Sequence, residues 1–186
     1  YTTYLEKCGM KKDEIDKLAK DDIRKVNYIK GEMGLRSCQF ALKWKDVPTR
    51  YKIGSMSVVN SRFNDFSPAF GNGEYSELYF TSSREGGITN KKDARTGEPF
   101  SDVWFAKLNK QGKWSRPVVM TEPINTNGNE GSVYVNKRGT AMYLTQCKVE
   151  RKKDLGCGIY ISERKGRLWG TPQLLQVKVG DYTTIG

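Results

Sequence analysis

The sequence predicts a mainly β fold with helices at its N-terminal end. Apolar residues recur at three- and four-residue steps up to about residue 45, as in helices, and in short alternating runs from residue 50 onward, as in strands. The chain has 19 Gly, 10 Tyr and 7 Phe, a composition typical of strands joined by tight turns. Four strand-like segments also occur twice. We therefore expect a partial β-propeller, about two four-stranded antiparallel blades, preceded by a helical hairpin.

Residues 1–48 are predicted to form the helical hairpin. The first helix begins at Asp13 or Lys12 and presents one apolar row, which consists of Ile15, Leu18, Ala19, Ile23 and Val26. The second runs from about Tyr28 or Glu32 to Trp44, and Pro48 ends the helical stretch. Two interpretations fit this segment: a helical hairpin, or the last unit of a helical repeat array.

Residues 49–186 are predicted to be antiparallel β-structure. Short apolar runs bounded by turn residues give candidate strands over residues 52–58, 67–70, 77–82, 102–108, 117–120, 132–135, 141–146, 158–163 and 173–177. Hairpin turns are expected at Gly112 and Gly166, since glycine adopts the backbone conformations that tight turns require.

An internal repeat is the most informative feature of this region. Val59-Asn60-Ser61 followed by Asn64-Asp65-Phe66-Ser67 matches Ile124-Asn125-Thr126 followed by Asn129-Glu130-Gly131-Ser132. Three later segments match in the same order: 78–82 with 142–146, 102–104 with 158–160, and 114–117 with 169–172. Each unit thus contains four strand-like segments, the number of strands in a propeller blade. The repeat predicts an outer closing strand at 52–59, blade one at 65–121, blade two at 130–179 and the start of a third blade at 180–186.

Trp114 and Trp169 hold matching places in this repeat, each after a turn and before a proline. The favoured interpretation is an aromatic side chain packed between sheets. The alternative is a tryptophan that stacks on a ligand.

The residue types exclude much common chemistry. The sequence has no histidine, which removes the Ser-His-Asp triad, the Cys-His dyad and imidazole general bases. Its four cysteines lack the CxxC spacing of a zinc or redox site. We therefore expect no catalytic residue, no cofactor and no metal.

The cysteines leave two possibilities open. Cys147 and Cys157 lie at facing ends of two predicted strands, where a hairpin would bring them within bridging distance in an oxidising compartment. Two ordinary semi-buried thiols fit the sequence equally well. The sequence does not determine the pairing of Cys8 and Cys38.

The chain is basic, with 32 Lys and Arg against 21 acidic residues and a formal charge of +11. Such an excess suits nucleic acid, an anionic membrane or an acidic protein partner. The basic residues are scattered over predicted loops, without a groove-reading helix or an aromatic RNA-binding motif, so we expect no nucleic-acid partner. No apolar run is long enough to span a membrane.

The repeat residues resemble a known family. The resemblance lies in five segments: Val59–Phe70, Leu78–Arg84, Asp102–Trp104, Gly112–Pro117 and Ile124–Thr126. These segments are similar to the PD40, or WD40-like TolB-type, repeat. They are particularly similar to the version of this repeat in OmpA-family periplasmic lipoproteins of Bacteroidetes, a group that includes a type IX secretion system component. The resemblance implies a tetratricopeptide-like region before the propeller, a periplasmic location at the outer membrane, and peptidoglycan binding through a domain that this segment lacks. We accordingly expect a segment of a longer protein, since no signal peptide pattern opens the sequence.

We expect a non-enzymatic scaffold that binds other envelope or secretion-system proteins. The loops 85–101 and 148–157 are predicted to share one rim and to offer basic side chains to an acidic partner, namely Lys91, Lys92, Arg95, Arg151, Lys152 and Lys153. The alternative is a glycan-processing or glycan-binding propeller, in which the matching positions Asp65, Glu130 and Asp181 supply paired carboxylates. The same positions also suit a purely structural role at turns.

Overall fold

The computed structural model describes residue 6 and residues 9–94, 96–150 and 153–176. Their contacts divide the chain into two compact units, Tyr1–Gly54 and Ser55–Gly186.

The first unit contains helices α1 (Lys12–Asp16) and α2 (Ile23–Trp44). Helix α2 begins earlier than the apolar spacing predicts because Asp22 caps it: the Asp22 carboxylate accepts a hydrogen bond from the Arg24 backbone N–H at 2.9 Å. The cap separates Ile23 and Val26 from the short first helix. Among the described residues, no helix has the length and apolar character needed to cross a membrane.

The second unit consists of two antiparallel sheets, so the mainly β prediction is confirmed. The strands of sheet one follow each other in chain order, and they are β1 (Asp65–Phe70), β2 (Glu77–Ser82), β3 (Asp102–Lys107) and β4 (Val118–Val119). Sheet two repeats this order and adds a short strand beside its third; its strands are β5 (Asn129–Val135), β6 (Ala141–Glu150), β7 (Lys153–Lys165), β8 (Leu168–Trp169) and β9 (Gln173–Leu174).

The two sheets place repeat-related residues in equivalent positions. Tyr79 lies in the second strand of sheet one and Tyr143 in the second strand of sheet two. Both first strands carry a register irregularity against the second strand. The hydroxyls of Ser67 and Ser132, matching residues of the first strands, are 3.0 Å apart, so these two strands lie side by side.

A core lies between the sheets. Sheet two contributes most of it and sheet one adds a smaller set; its buried members are Tyr79, Val103, Ile124, Val133, Val135, Met142, Leu144, Tyr160 and Trp169. Trp169 is 8% exposed, which confirms packing between sheets for this residue. Trp114 is half-buried beside a second cluster on sheet one, formed by Val59, Leu78, Phe80, Trp104 and Ala106.

Two segments differ from the sequence prediction. Residues 52–59, predicted as an outer strand, form no strand in the structure, because a strand needs a hydrogen-bonded neighbour and no described strand pairs with this segment. The predicted loop 148–157 is mostly ladder: after a register irregularity, Val149 pairs with Asp154 and Glu150 with Lys153.

Cys147 and Cys157 face each other across β6 and β7 and form a disulfide. The bond lies where the ladder changes register. Cys38 is an exposed free thiol on helix α2, and Cys8 lies outside the described residues.

Candidate functional site at the loop edge

The two sheets share an edge at which β1 and β5 begin, β2 and β6 end, and β3 and β7 begin; we call it the loop edge. Because consecutive antiparallel strands alternate in direction, the connections from β2 to β3 and from β6 to β7 both emerge there. The two basic segments that the sequence predicted on one rim therefore start from corresponding positions of their sheets.

The β2–β3 connection is folded back on itself. Lys92 forms a bridge with Pro99, and the Phe100 N–H donates to the Lys91 carbonyl at 3.1 Å. The Glu98 carboxylate ties this fold to the sheet, since it accepts hydrogen bonds from the Asn64 amide at 2.6 Å and the Ser83 hydroxyl at 2.7 Å. The loop is thus held at its base.

The end of this loop is also fastened to sheet two. The Ser101 hydroxyl donates to the Glu130 carbonyl at 2.6 Å, and the Glu130 N–H donates to the Ser101 carbonyl at 2.8 Å. The Asn129 side chain accepts from the Ser101 N–H at 2.9 Å. Since these three bonds join the start of β3 to the start of β5, they fix the two sheets at the loop edge.

A groove of about 870 Å³ opens between these parts. Its lining combines aromatic side chains, polar side chains and the disulfide, and includes Phe66, Lys92, Phe100, Asn129, Cys147 and Cys157. Phe66 is 40% exposed and contributes an accessible apolar surface.

The predicted partner-binding residues are only partly described. Lys91 and Lys92 are exposed on the folded-back loop. Lys153 opens strand β7, and nothing is described of its side chain. Arg95, Arg151 and Lys152 lie outside the described residues, as does Asp181.

Asp65 braces the start of sheet one. Its carboxylate accepts from the Ser61 N–H, from the Ser82 hydroxyl at 2.6 Å and from the Arg84 guanidinium at 2.6 Å. Burial by itself raises the pKa of Asp65, but the hydrogen bonds from Ser82, Ser61 and Arg84 outweigh it, so the pKa is lowered. Asp65 is therefore charged and fully engaged with its own sheet.

Glu130 accepts hydrogen bonds from its own turn as Asp65 does, but among the described residues it has no counterpart of the Arg84 guanidinium. It accepts from the Thr126 hydroxyl at 2.7 Å and the Thr126 N–H at 3.1 Å through one carboxylate oxygen, while the other is buried without a partner. Burial raises the pKa of Glu130 to about 8. Burial likewise raises the pKa of Asp102 to about 6, and the Asp102 charge adds to the shift of Glu130.

The difference between the two carboxylates has a source in the repeat. Lys148 holds the place of Arg84, yet its ammonium lies over the Tyr160 ring, 4.7 Å from the centre. Arg84 lies 5.1 Å from the Trp104 ring centre and also reaches Asp65. A guanidinium serves both contacts because it is long and forked. The sequence suggested Asp65 and Glu130 as a pair, but each is bound to its own turn.

Sequence reasoning missed the residues that build the edge, namely Glu98, Ser101 and Asn129. Single polar residues in a long loop carry no spacing signal, so their partners emerge only from the fold. Among the described residues, no group of three His, Cys, Asp or Glu side chains is placed to hold a metal ion.

No family model matches this sequence, and no curated protein or solved structure matches it.

Proposed function

We propose that this chain is a non-enzymatic scaffold whose two sheets are successive blades of a β-propeller and whose loop edge binds an acidic protein partner. The observation that carries the proposal is the equivalence of the two sheets. Strand order, the irregularity in each first strand and the Ser67–Ser132 contact all recur at matching positions. Stacked four-stranded sheets with neighbouring first strands are the arrangement of a propeller.

The exposed face of sheet two supports the same proposal. Tyr134 is 60% exposed there, and Tyr143 lies beside it at 6.1 Å between ring centres. The matching face of sheet one carries Ala69 and Tyr79 and is covered by sheet two. We infer that a further sheet covers the Tyr134 face, and that residues 52–59 and the helices, as a tetratricopeptide-like hairpin, belong to a longer assembly.

The Cys147–Cys157 disulfide supports a location in an oxidising compartment, because such bonds persist outside the cytosol. We propose the periplasm, in agreement with the resemblance to OmpA-family envelope proteins. A role in a cell-envelope machine of the type IX secretion kind, with attachment to the outer membrane and peptidoglycan through other parts of the protein, belongs to this proposal.

Charge supports an acidic partner. Lys91 and Lys92 are exposed on a loop that is fastened at its base, so they offer positive charge beside the mixed groove of the loop edge. Charges at the rim of an interface mainly raise the association rate and make it salt-dependent.

Replacement of both lysines, Lys91→Gln with Lys92→Gln, tests the proposal. We expect binding of a poly-L-glutamate probe to weaken at least threefold at low salt, with a smaller salt dependence, measured by fluorescence anisotropy. A second variant removes the remaining predicted charges at Arg95, Arg151, Lys152 and Lys153, and should weaken binding further.

The matched control replaces Lys110 and Lys113, two exposed lysines of the turn at the opposite edge of sheet one. It removes the same charge and should leave more of the binding intact. Equal losses in both double variants would mean that only net charge matters, and would count against a specific partner site at the loop edge.

A further inference from the structure

A second cleft lies between the sheets at the edge opposite the loop edge. Its volume is about 530 Å³. Apolar side chains form its walls, namely Tyr79, Phe105, Met120 and Trp169, and charged side chains surround them, namely Glu77, Lys107, Arg164 and Arg167. Both sheets contribute, so the cleft exists only because the sheets pack together.

The aromatic walls are held in place by each other. The Tyr79 and Phe105 rings lie 4.8 Å apart between centres, and Trp169 meets Tyr79 edge-on at 6.1 Å. The Trp169 indole N–H donates to the Tyr79 hydroxyl oxygen at 3.3 Å. A ligand with a flat apolar part therefore meets preformed surfaces and orders few side chains on binding.

The charged groups are unbalanced. Among the described residues that line the cleft, Glu77 supplies the one carboxylate; it pairs with Arg164 at 3.1 Å and lies 3.8 Å from the Lys107 ammonium. Arg167 is exposed and forms no ion pair with a described side chain. The buried Arg164 Nε has no hydrogen-bond acceptor among the described residues. Three cations thus face one internal anion beside apolar walls.

We propose that this cleft binds a carboxylate attached to a flat apolar group. Arg167 and Lys107 attract the carboxylate, and the apolar part rests on Phe105 and Met120, the partly exposed walls, with the buried Tyr79 and Trp169 rings behind them. Charge-assisted hydrogen bonds to a carboxylate are stronger than neutral ones, and a partly enclosed cleft retains more of that strength than an open surface. The site is separate from the loop edge and does not depend on the function proposed above.

Two sources supply this chemistry: a free aromatic acid, and the C-terminal aromatic residue of a polypeptide. Benzoate tests the first, with benzamide as its neutral match. Acetyl-Gly-Phe with a free carboxylate tests the second, with its C-terminal amide as the match. Titrations of the 186-residue chain are followed by the NMR signal of the Trp169 indole N–H.

We expect each carboxylate to shift the Trp169 signal and its neutral match to bind about tenfold more weakly, the ratio set by one charge-assisted contact. Tighter binding of the peptide than of benzoate identifies a polypeptide C-terminus as the source, and the reverse identifies a free acid. Equal binding of acid and amide in both pairs, or no binding, would overturn the proposal.

Two variants with opposite expected effects on carboxylate affinity distinguish loss of binding from structural damage. Arg167→Ala should weaken carboxylate binding about fivefold, as loss of a partly exposed charge contact does. Glu77→Gln removes the competing internal anion and should tighten binding. Arg116→Ala is the matched control, since Arg116 lies in a different crevice beside Trp104. Unchanged binding in Arg167→Ala would reject the site even where Glu77→Gln is poorly folded.

Discussion

At the scale of residues, the repeat places one charged and one neutral carboxyl in matching turns. Asp65 has the Arg84 guanidinium at 2.6 Å, whereas Glu130 has a buried oxygen without a partner. A buried carboxylate without a cation is costly, so it keeps its proton instead. One substitution in the repeat, lysine for arginine at position 148, accompanies this change.

Glu130 should make the protein less stable as the pH rises. Its pKa is raised from the ordinary 4.5 to about 8, so the folded protein holds a proton that the unfolded chain releases between these values. The stabilisation is complete below pH 4.5 and is lost as the pH approaches 8, with a slope of at most about 1.4 kcal/mol per pH unit. Urea unfolding of the wild type and of Glu130→Gln at several pH values measures it.

The difference between these two proteins reports Glu130 together with its coupling to Asp102, because the Asp102 charge adds to the Glu130 shift. Asp65→Asn is the opposite case: the pKa of Asp65 is lowered, so its contribution is present at neutral pH and is lost in acid. Glu130→Gln should then gain relative stability toward pH 8, and Asp65→Asn should be destabilised at pH 7. Identical pH profiles for Glu130→Gln and the wild type would show that Glu130 titrates normally.

At the scale of elements, tight turns position the sheets against each other as well as joining strands. Gly139 closes the β5–β6 turn with φ of +68°, and its N–H donates to the Asn136 carbonyl at 2.8 Å. A Cβ at this position would lie 2.7 Å from the Gly71 carbonyl oxygen, which belongs to the β1–β2 turn of the other sheet. The turn therefore needs glycine for two independent reasons.

Gly139→Ala should destabilise the protein by about 2–4 kcal/mol, from positive φ together with the clash. Gly112→Ala is the matched control, since Gly112 has φ of +72° and open space around an added Cβ. It should cost only about 1 kcal/mol. Chemical denaturation measures both values, and equal costs would show that the turns do not press on each other.

At the scale of the whole molecule, one side chain fastens the connection between the sheets. Asn125 precedes β5 and is fully buried. Its amide accepts from the Val103 N–H at 2.7 Å and donates to the Val103 carbonyl at 2.9 Å and the Met120 carbonyl at 2.6 Å. It thereby continues the hydrogen bonding of β3 beyond the short strand β4.

Asn125→Ala should cost about 2–4 kcal/mol, because the Val103 N–H loses its acceptor and the Met120 carbonyl loses its donor, while the Val103 carbonyl keeps the Met120 N–H at 3.0 Å. Asn60 is its repeat mate, and it is exposed. Asn60→Ala should therefore change stability by less than about 0.5 kcal/mol. Thermal unfolding followed by circular dichroism compares the two, and a large effect at Asn60 would mean that it already has a partner within this chain.

The sequence by itself determined the mainly β character and the repeated strand order. These depend on local periodicity and on turn residues such as Gly112 and Gly166, which act within a few positions of the chain. The same local signals misplaced the start of helix α2, because the cap at Asp22 interrupts a continuous apolar row. They also predicted a strand at 52–59, where the alternation is present but a pairing neighbour is not.

Only the tertiary structure decided which side chains meet. Glu77 and Arg164 are 87 positions apart, and Tyr79 and Trp169 are 90 apart; no periodicity links them. The ionisation of Glu130 likewise depends on burial and on the position of the Lys148 ammonium, which lies over the Tyr160 ring. The Cys147–Cys157 bond depends on the β6–β7 ladder, which continues through the predicted loop. Local spacing fixes the elements, whereas sites arise from long-range packing, burial and charge, which become defined when the sheets come together.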